Sequence, residues 1–164
     1  MDIEYFIEKR EEARILYNSK KTIHNPYLNT DVVLNSDGFH HLQFSARRER
    51  NKQEQLLKFS LLPLAFNVIK KSGTLQEYRK ILAPIGKPCK SDGLRLTKTV
   101  EYWGFIAIVG DKKPIKIRTI IRRIGDGNVI FWSVMPFSKL KLDGLQKFYS
   151  ENIEDEEENI ENNK

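Results

Sequence analysis

The sequence has little of what metal-dependent or disulfide-bonded proteins need. It contains one cysteine, Cys89, and three histidines among 164 residues. It can therefore form no internal disulfide, and it offers no ligand set with the spacing of a zinc site. It also has no glycine motif that cradles a phosphate and no nucleophile elbow around Ser133. We expect any chemistry to proceed without a metal or a cofactor.

Long apolar runs are also missing. No segment has the length of a membrane span, and the first residues, MDIEYFIEKREEAR, carry acidic side chains early and lack the apolar core of a secretory signal. A single cysteine fits a reducing compartment. We expect a cytoplasmic protein without a membrane partner, and delivery into another cell remains open.

Acidic residues are concentrated at one end of the chain. Residues 151–164 hold seven of them and one lysine, a net charge of −6, whereas the whole chain carries +6. Residues 1–150 therefore carry +12. Such a surplus on a small domain favours a polyanionic partner such as RNA. The alternative is a lysine-rich surface that is only solvated.

Residues 100–136 predict three antiparallel strands. Their apolar runs are rich in β-branched and aromatic residues, and they are separated by the turn sequences GDKK and GDGN. With a short strand at Asp31–Leu34, they predict a four-stranded antiparallel sheet. Helices are expected on one face of this sheet, which is an α+β fold.

Apolar periodicity predicts helices on both sides of these strands. Asp2 is the expected N-cap of the first helix, and Pro63 is expected to kink or divide the second. The predicted helices cover residues 2–18, 53–72, 74–82 and, more weakly, Lys139–Tyr149. Residues 1–30 form an N-terminal helix and connection, residues 31–150 a domain, and residues 151–164 a disordered acidic tail.

The turns also predict a register. A two-residue loop at Asp126-Gly127 pairs Arg122 with Phe131, and a four-residue loop at 110–113 pairs Phe105 with Arg118. One face of the sheet is then almost entirely apolar. The other face carries a mixed set that resembles a site: Glu101, Trp103, Phe105, Lys116, Arg118, Arg122, Phe131 and Ser133.

Four residues are the candidates for chemistry. His41 can act as a base or an acid near neutral pH, Arg118 and Arg122 can neutralise a phosphate, and Ser133 can orient it. The alternatives are a structural histidine and solvated arginines. The candidates for holding RNA are basic or aromatic: Arg47, Arg48, Trp103, Lys116 and Phe131. This combination suits metal-free cleavage of RNA through attack by the 2′-hydroxyl.

Two short motifs resemble the nuclease superfamily of barnase, EndoU, tRNA-cleaving colicins and RelE. Gly38-Phe39-His40-His41-Leu42 resembles its Gly-aromatic-x-His-apolar motif, and Ser133-Val134-Met135-Pro136 resembles its final corner. The resemblance, which extends over residues 32–136, implies that residues 31–150 are a metal-independent endoribonuclease domain. It also implies a toxin or phage-linked effector that acts on tRNA or mRNA, with an antitoxin or immunity protein as a second partner. Arg47-Arg48 stands where many relatives have a second histidine, which leaves the general acid open.

Two other classes of protein fit the same residues. One is a non-catalytic RNA-binding or regulatory module that uses the basic sheet face. The other is a protein-interaction domain.

Overall fold

The computed structural model describes residues 2–46 and 48–137, which form an α+β fold as the sequence predicts. The elements follow in the order α1 (Ile3–Ser19), β1 (Thr22–Asn25), β2 (Thr30–Val33), α2 (Ser36–Gln43), α3 (Lys52–Lys71), β3 (Glu77–Ile85), β4 (Leu96–Val109), β5 (Ile115–Ile124) and β6 (Ile130–Pro136). Among the described residues, no helix is long and apolar enough to cross a membrane. The helix predicted at Lys139–Tyr149 and the acidic tail at 151–164 lie outside the described residues.

The sheet differs from the prediction in size and direction. In the described chain it has six strands in the order β1-β2-β6-β5-β4-β3, not four. The strand expected near Asp31–Leu34 is confirmed as β2, which lies beside β6. However, β2 runs parallel to β6, so the sheet is mixed rather than antiparallel throughout.

The helix predicted over residues 74–82 is wrong, because Glu77–Ile85 is strand β3. The capping-box spacing at Thr74 is a local signal of about 1 kcal/mol. Pairing with β4 extends over nine residues, from Glu77↔Gly104 to Ile85↔Leu96. This pairing outweighs the local preference.

The helix ends are close to the prediction. Asp2 is the N-cap of α1, and its carboxylate accepts a hydrogen bond from the Glu4 amide at 2.9 Å. Helix α3 continues through Pro63 and is not divided there. Pro63 is exposed, so its missing donor costs one hydrogen bond, whereas Phe59, Leu62 and other side chains of α3 are buried in the core.

The predicted register holds for part of the sheet. Ile120 pairs with Ser133 as expected, but a β-bulge follows and Arg122 pairs with Ile130 instead of Phe131. Between β4 and β5 every pair is displaced by one residue, so Phe105 pairs with Thr119. The cause is the connection after Val109, which has five residues rather than four.

The displacement separates the residues of the expected site face. Trp103, Phe105 and Phe131 lie on the side covered by α1 and α3 and belong to the main core. Arg122 is paired with Tyr102, which belongs to a second buried cluster on the opposite side. The cationic and aromatic candidates are therefore on different faces of the sheet.

Gly38 allows α2 to lie directly against β6. A Cβ atom at this position would be 2.4 Å from the carbonyl oxygen of Phe131 and 2.6 Å from the hydroxyl oxygen of Tyr17. The Tyr17 hydroxyl also donates to the carbonyl of Asn35, the N-cap of α2, at 2.6 Å. This close approach brings the next turn of α2, with His41, to the middle of β6.

Candidate active site around Trp132

Trp132 is the centre of a group of buried polar side chains. It lies in β6 beside the bulge and is 1% exposed. The imidazole of His41 stacks on its indole with ring centres 4.1 Å apart, and Cζ of Arg122 lies 3.3 Å from its ring centre. The bulge and α2 thus bring His41 and Arg122 to the same side chain. Two of the four predicted catalytic residues meet here.

Arg50 fixes the orientation of His41. Its Nε donates to the His41 carbonyl at 3.0 Å, and its Nη2 lies 3.2 Å from His41 Nε2. A guanidinium group can only donate, so Nε2 must accept in this hydrogen bond and Nδ1 carries the proton. The imidazole is then neutral, with its lone pair on Nε2. That lone pair accepts from Arg50, so Nε2 can act as a general base only after this hydrogen bond is broken.

Ser133 is held by a lysine from α3. The Lys58 ammonium donates to Ser133 Oγ at 3.2 Å and to the Val134 carbonyl at 3.0 Å. Ser133 accepts this bond, so its own hydroxyl hydrogen can be donated to another group. The predicted role of Ser133 in orienting a phosphate needs such a donor.

Arg118 has different surroundings from Arg122. It forms a two-point contact with Glu77, at 2.6 Å from Nε and 3.3 Å from Nη2, and it lies 4.5 Å from the ring centre of Phe137. The two arginines are four residues apart on β5, so their Cα atoms are separated by about 13 Å at about 3.3 Å per residue. Of the two, Arg122 is the one that contacts Trp132, the residue on which His41 stacks.

The candidates for holding RNA do not form one surface. Trp103 is 6% exposed and Phe131 is 0% exposed, both inside the core. Arg48 is exposed and pairs with Glu54 at 3.2 Å, and Lys116 is exposed beside the ring of Phe137. Arg47 lies outside the described residues.

The group around Trp132 combines cations with burial. Five of its polar side chains are at least nine-tenths buried: His41, Arg50, Lys58, Arg122 and Ser133. Arg118, which lies farther along β5, is buried to the same degree. Burying a charged group costs free energy that hydrogen bonds and ion pairs must offset. Several buried cations on neighbouring elements also create a strong positive potential. A positive potential attracts anions, and the anionic group of RNA is its phosphate.

Sequence reasoning missed Lys58, Arg50 and Trp132 as members of this group. Lys58 had a detectable signal, because it shares the buried face of α3 with Gln55, Phe59 and Leu62 at helical spacing. A lysine on such a face is unusual. Trp132 had no such signal, since its position depends on the bulge.

A second polar cluster lies on the opposite face. Glu101 accepts hydrogen bonds from the Tyr78 hydroxyl at 2.7 Å and from Arg123 Nη2 at 2.6 Å. Its partner is Arg123 and not Arg122, which the displaced register explains. Burial acts to raise the pKa of Glu101, but the bonds from Tyr78 and Arg123 outweigh it and hold this pKa below its usual value.

The described residues hold no group of three His, Cys, Asp or Glu side chains that could bind a metal ion. The arrangement around Trp132 is instead a base, an arginine, a lysine and a hydroxyl, which can act on a phosphate. Comparisons of the chain with protein-family models, with curated proteins and with solved structures give no match.

Proposed function

We propose that the chain is a metal-independent endoribonuclease that cleaves tRNA or mRNA in the cytoplasm, as a toxin or phage-linked effector held in check by an antitoxin or immunity protein. The observation that carries the proposal is the shared contact of His41 and Arg122 with Trp132. The neighbouring Ser133 and its lysine support it.

Each residue has a role in the proposed reaction. Nε2 of His41 takes the proton of a 2′-hydroxyl, whose oxygen attacks the adjacent phosphorus. Arg122 neutralises the charge that develops on the phosphate oxygens, and Ser133 donates a hydrogen bond to one of them. Arg118 is ion-paired with Glu77, so it contacts a phosphate only when that pair opens. The bond from phosphorus to the 5′-oxygen breaks, and a 2′,3′-cyclic phosphate remains.

The leaving 5′-oxygen needs a proton donor. Lys58 is our candidate, because its ammonium group contacts Ser133. An ammonium group carries protons and can give one to a leaving oxygen within hydrogen-bond reach.

One observation favours a different function. His41 is 2% exposed, and its imidazole is engaged by both Trp132 and Arg50. A histidine in this setting can be structural, and the chain would then bind RNA without cleaving it. Cleavage requires this packing to open toward the substrate, whereas binding at the surface does not.

The experiment uses the full chain with total tRNA and an mRNA in EDTA, followed by mapping of fragment ends. His41→Ala and Arg122→Ala are compared with His24→Ala and Arg123→Ala. His24 is an exposed histidine, and Arg123 follows Arg122 on β5 but points to the other face. Removal of a general base costs about 10²- to 10⁴-fold in rate.

The expected result is a cyclic phosphate end with the wild type and both control variants, and a loss of cleavage in the two site variants. Intact RNA in every lane, with RNA still bound, would replace the nuclease by the binding module. Equal loss in the Arg122 and Arg123 variants would remove Arg122 from the site.

A further inference from the structure

Strands β3 and β4 extend beyond the rest of the sheet as a two-stranded arm. The last pair between β4 and β5 is Val100↔Ile124. The pairing of β3 with β4 continues past this point for four more pairs, from Leu82↔Thr99 to Ile85↔Leu96. With the connection at 86–95, residues 79–99 form this arm and its base.

The arm is strongly basic. Residues 79–99 contain six cationic residues and one acidic residue, Asp92, a net charge of +5. Five of the six cationic residues are exposed: Arg79, Lys80, Lys87, Lys90 and Lys98. By contrast, residues 2–19, which contain α1, carry five acidic and three basic residues, a net charge of −2. The arm thus carries +5 of the +12 that residues 1–150 carry.

We propose that this arm binds the phosphate backbone of structured RNA, away from the phosphate that reacts. Lysines on an extended ribbon can contact successive phosphates and release their counterions. Arg79, Lys80 and Lys98 lie on the paired strands, which keep their charges at fixed spacing, and Lys87 and Lys90 lie in the connection between these strands. The inference rests on the proposed function only for the choice of RNA as the polyanion.

The arm also exposes apolar side chains, which raises a membrane as another partner. Leu82 and Leu96 are 75% and 74% exposed, and Leu94 is 68% exposed. However, residues 79–99 contain no tryptophan or tyrosine, and these two side chains are enriched at membrane interfaces. The leucines instead provide apolar contacts for riboses and bases beside the bound phosphates.

The test compares two triple variants with the same change of charge. Lys87, Lys90 and Lys98 are replaced by Gln in the arm variant, and the exposed Lys20, Lys21 and Lys71 are replaced by Gln in the control variant. Binding to a 2′-O-methyl RNA hairpin, which attack by a 2′-hydroxyl cannot cleave, is measured as a function of salt. Equal melting temperatures confirm that both variants fold.

The arm variant should bind more weakly than the wild type, and the slope of log K against log salt should become smaller by about 2–3 for three lost phosphate contacts. The control variant should keep the wild-type slope. Equal losses in the two variants would overturn the proposal. Loss of binding to phosphatidylserine vesicles in the arm variant, with unchanged RNA binding, would overturn it in favour of a membrane.

Cleavage of a dinucleotide separates this inference from the proposed function. The single phosphate that links the two nucleosides of a dinucleotide is the one that reacts, which leaves no phosphate for the arm to bind, so the arm variant should cleave it at the wild-type rate. A wild type that cleaves no RNA, together with the expected salt slopes, would refute the nuclease and leave the arm as an RNA-binding element. Cleavage by the wild type with equal slopes for both variants would refute only the arm.

Discussion

The imidazole of His41 and the indole of Trp132 are stacked, with planes 16° apart and centres 4.1 Å apart. The contact joins a helix of eight residues to the central part of the sheet. It depends on two features of the backbone, which are the bulge in the pairing of β5 with β6 and the close approach of α2 at Gly38. The site is therefore a product of backbone geometry as well as of residue type.

Gly38→Ala should destabilise the protein by about 1–3 kcal/mol, the usual cost of overpacking. The added methyl group would meet the Phe131 carbonyl, which belongs to a strand and cannot move away by itself. Denaturant unfolding measures the change. Gly73→Ala is the matched control, because a Cβ there meets nothing within 4 Å. Equal stability of the two variants would show that α2 does not need its close contact with β6.

Ser133→Ala should reduce the free energy of unfolding by about 1–3 kcal/mol, since it removes an acceptor from a buried ammonium group. The affected bond is the one from Lys58 at 3.2 Å. Ser60→Ala is the control at an exposed helix position, where alanine is at least as favourable. If Ser133→Ala unfolds at the wild-type midpoint, the contact with Lys58 contributes little to stability.

The sequence predicted the α+β class, the three strands β4 to β6 and the capping of α1, because these follow from local patterns of apolar residues and turns. It failed at β3, since a local helix signal was outweighed by pairing with β4, whose partner residues lie 11 to 27 residues away in the chain. It also failed to place Arg122 beside Trp132. The bulge between β5 and β6 decides that placement, whereas the five-residue connection decides the register of β4 with β5. Neither is encoded by the period-2 pattern.

The error in register also explains why some of the predicted site residues do not lie together. His41, Arg122 and Ser133 were chosen for their chemistry and lie near Trp132, whereas Trp103 and Phe131 were added because a wrong register placed them on the same face. The catalytic roles of the first group stay predictions. The second group depended on register, which one residue of displacement reverses.

Glu101→Gln should make the stability less dependent on pH in the acidic range. The pKa of Glu101 in the folded protein is below its usual value, so its contribution to stability is complete above the pKa of the unfolded chain, about 4.3. It is lost as the pH falls through the lower pKa of the folded state. The difference in stability between wild type and variant should therefore shrink as the pH is lowered from about 5 to about 3.

Unfolding by denaturant at several pH values measures this difference. Tyr78→Phe tests its cause, because it removes the hydroxyl that donates to Glu101 and leaves Arg123 in place. It should give a smaller dependence on pH than the wild type. A difference between wild type and Glu101→Gln that stays constant over this range would contradict the lowered pKa.

Removal of residues 151–164 should strengthen RNA binding at low salt. This segment carries a net charge of −6 next to a chain that carries +12 without it, so it competes with RNA phosphates for the same cations. The gain should be large at about 0.01 M salt, where the Debye length is about 30 Å, and should decrease at about 0.15 M, where it is about 8 Å. Anisotropy of a labelled 2′-O-methyl RNA gives both affinities. A full-length variant in which the seven acidic residues are replaced by their amides should behave like the truncated chain, because the effect arises from charge and not from length. Unchanged affinity at low salt in both variants would show that the acidic segment does not compete with RNA.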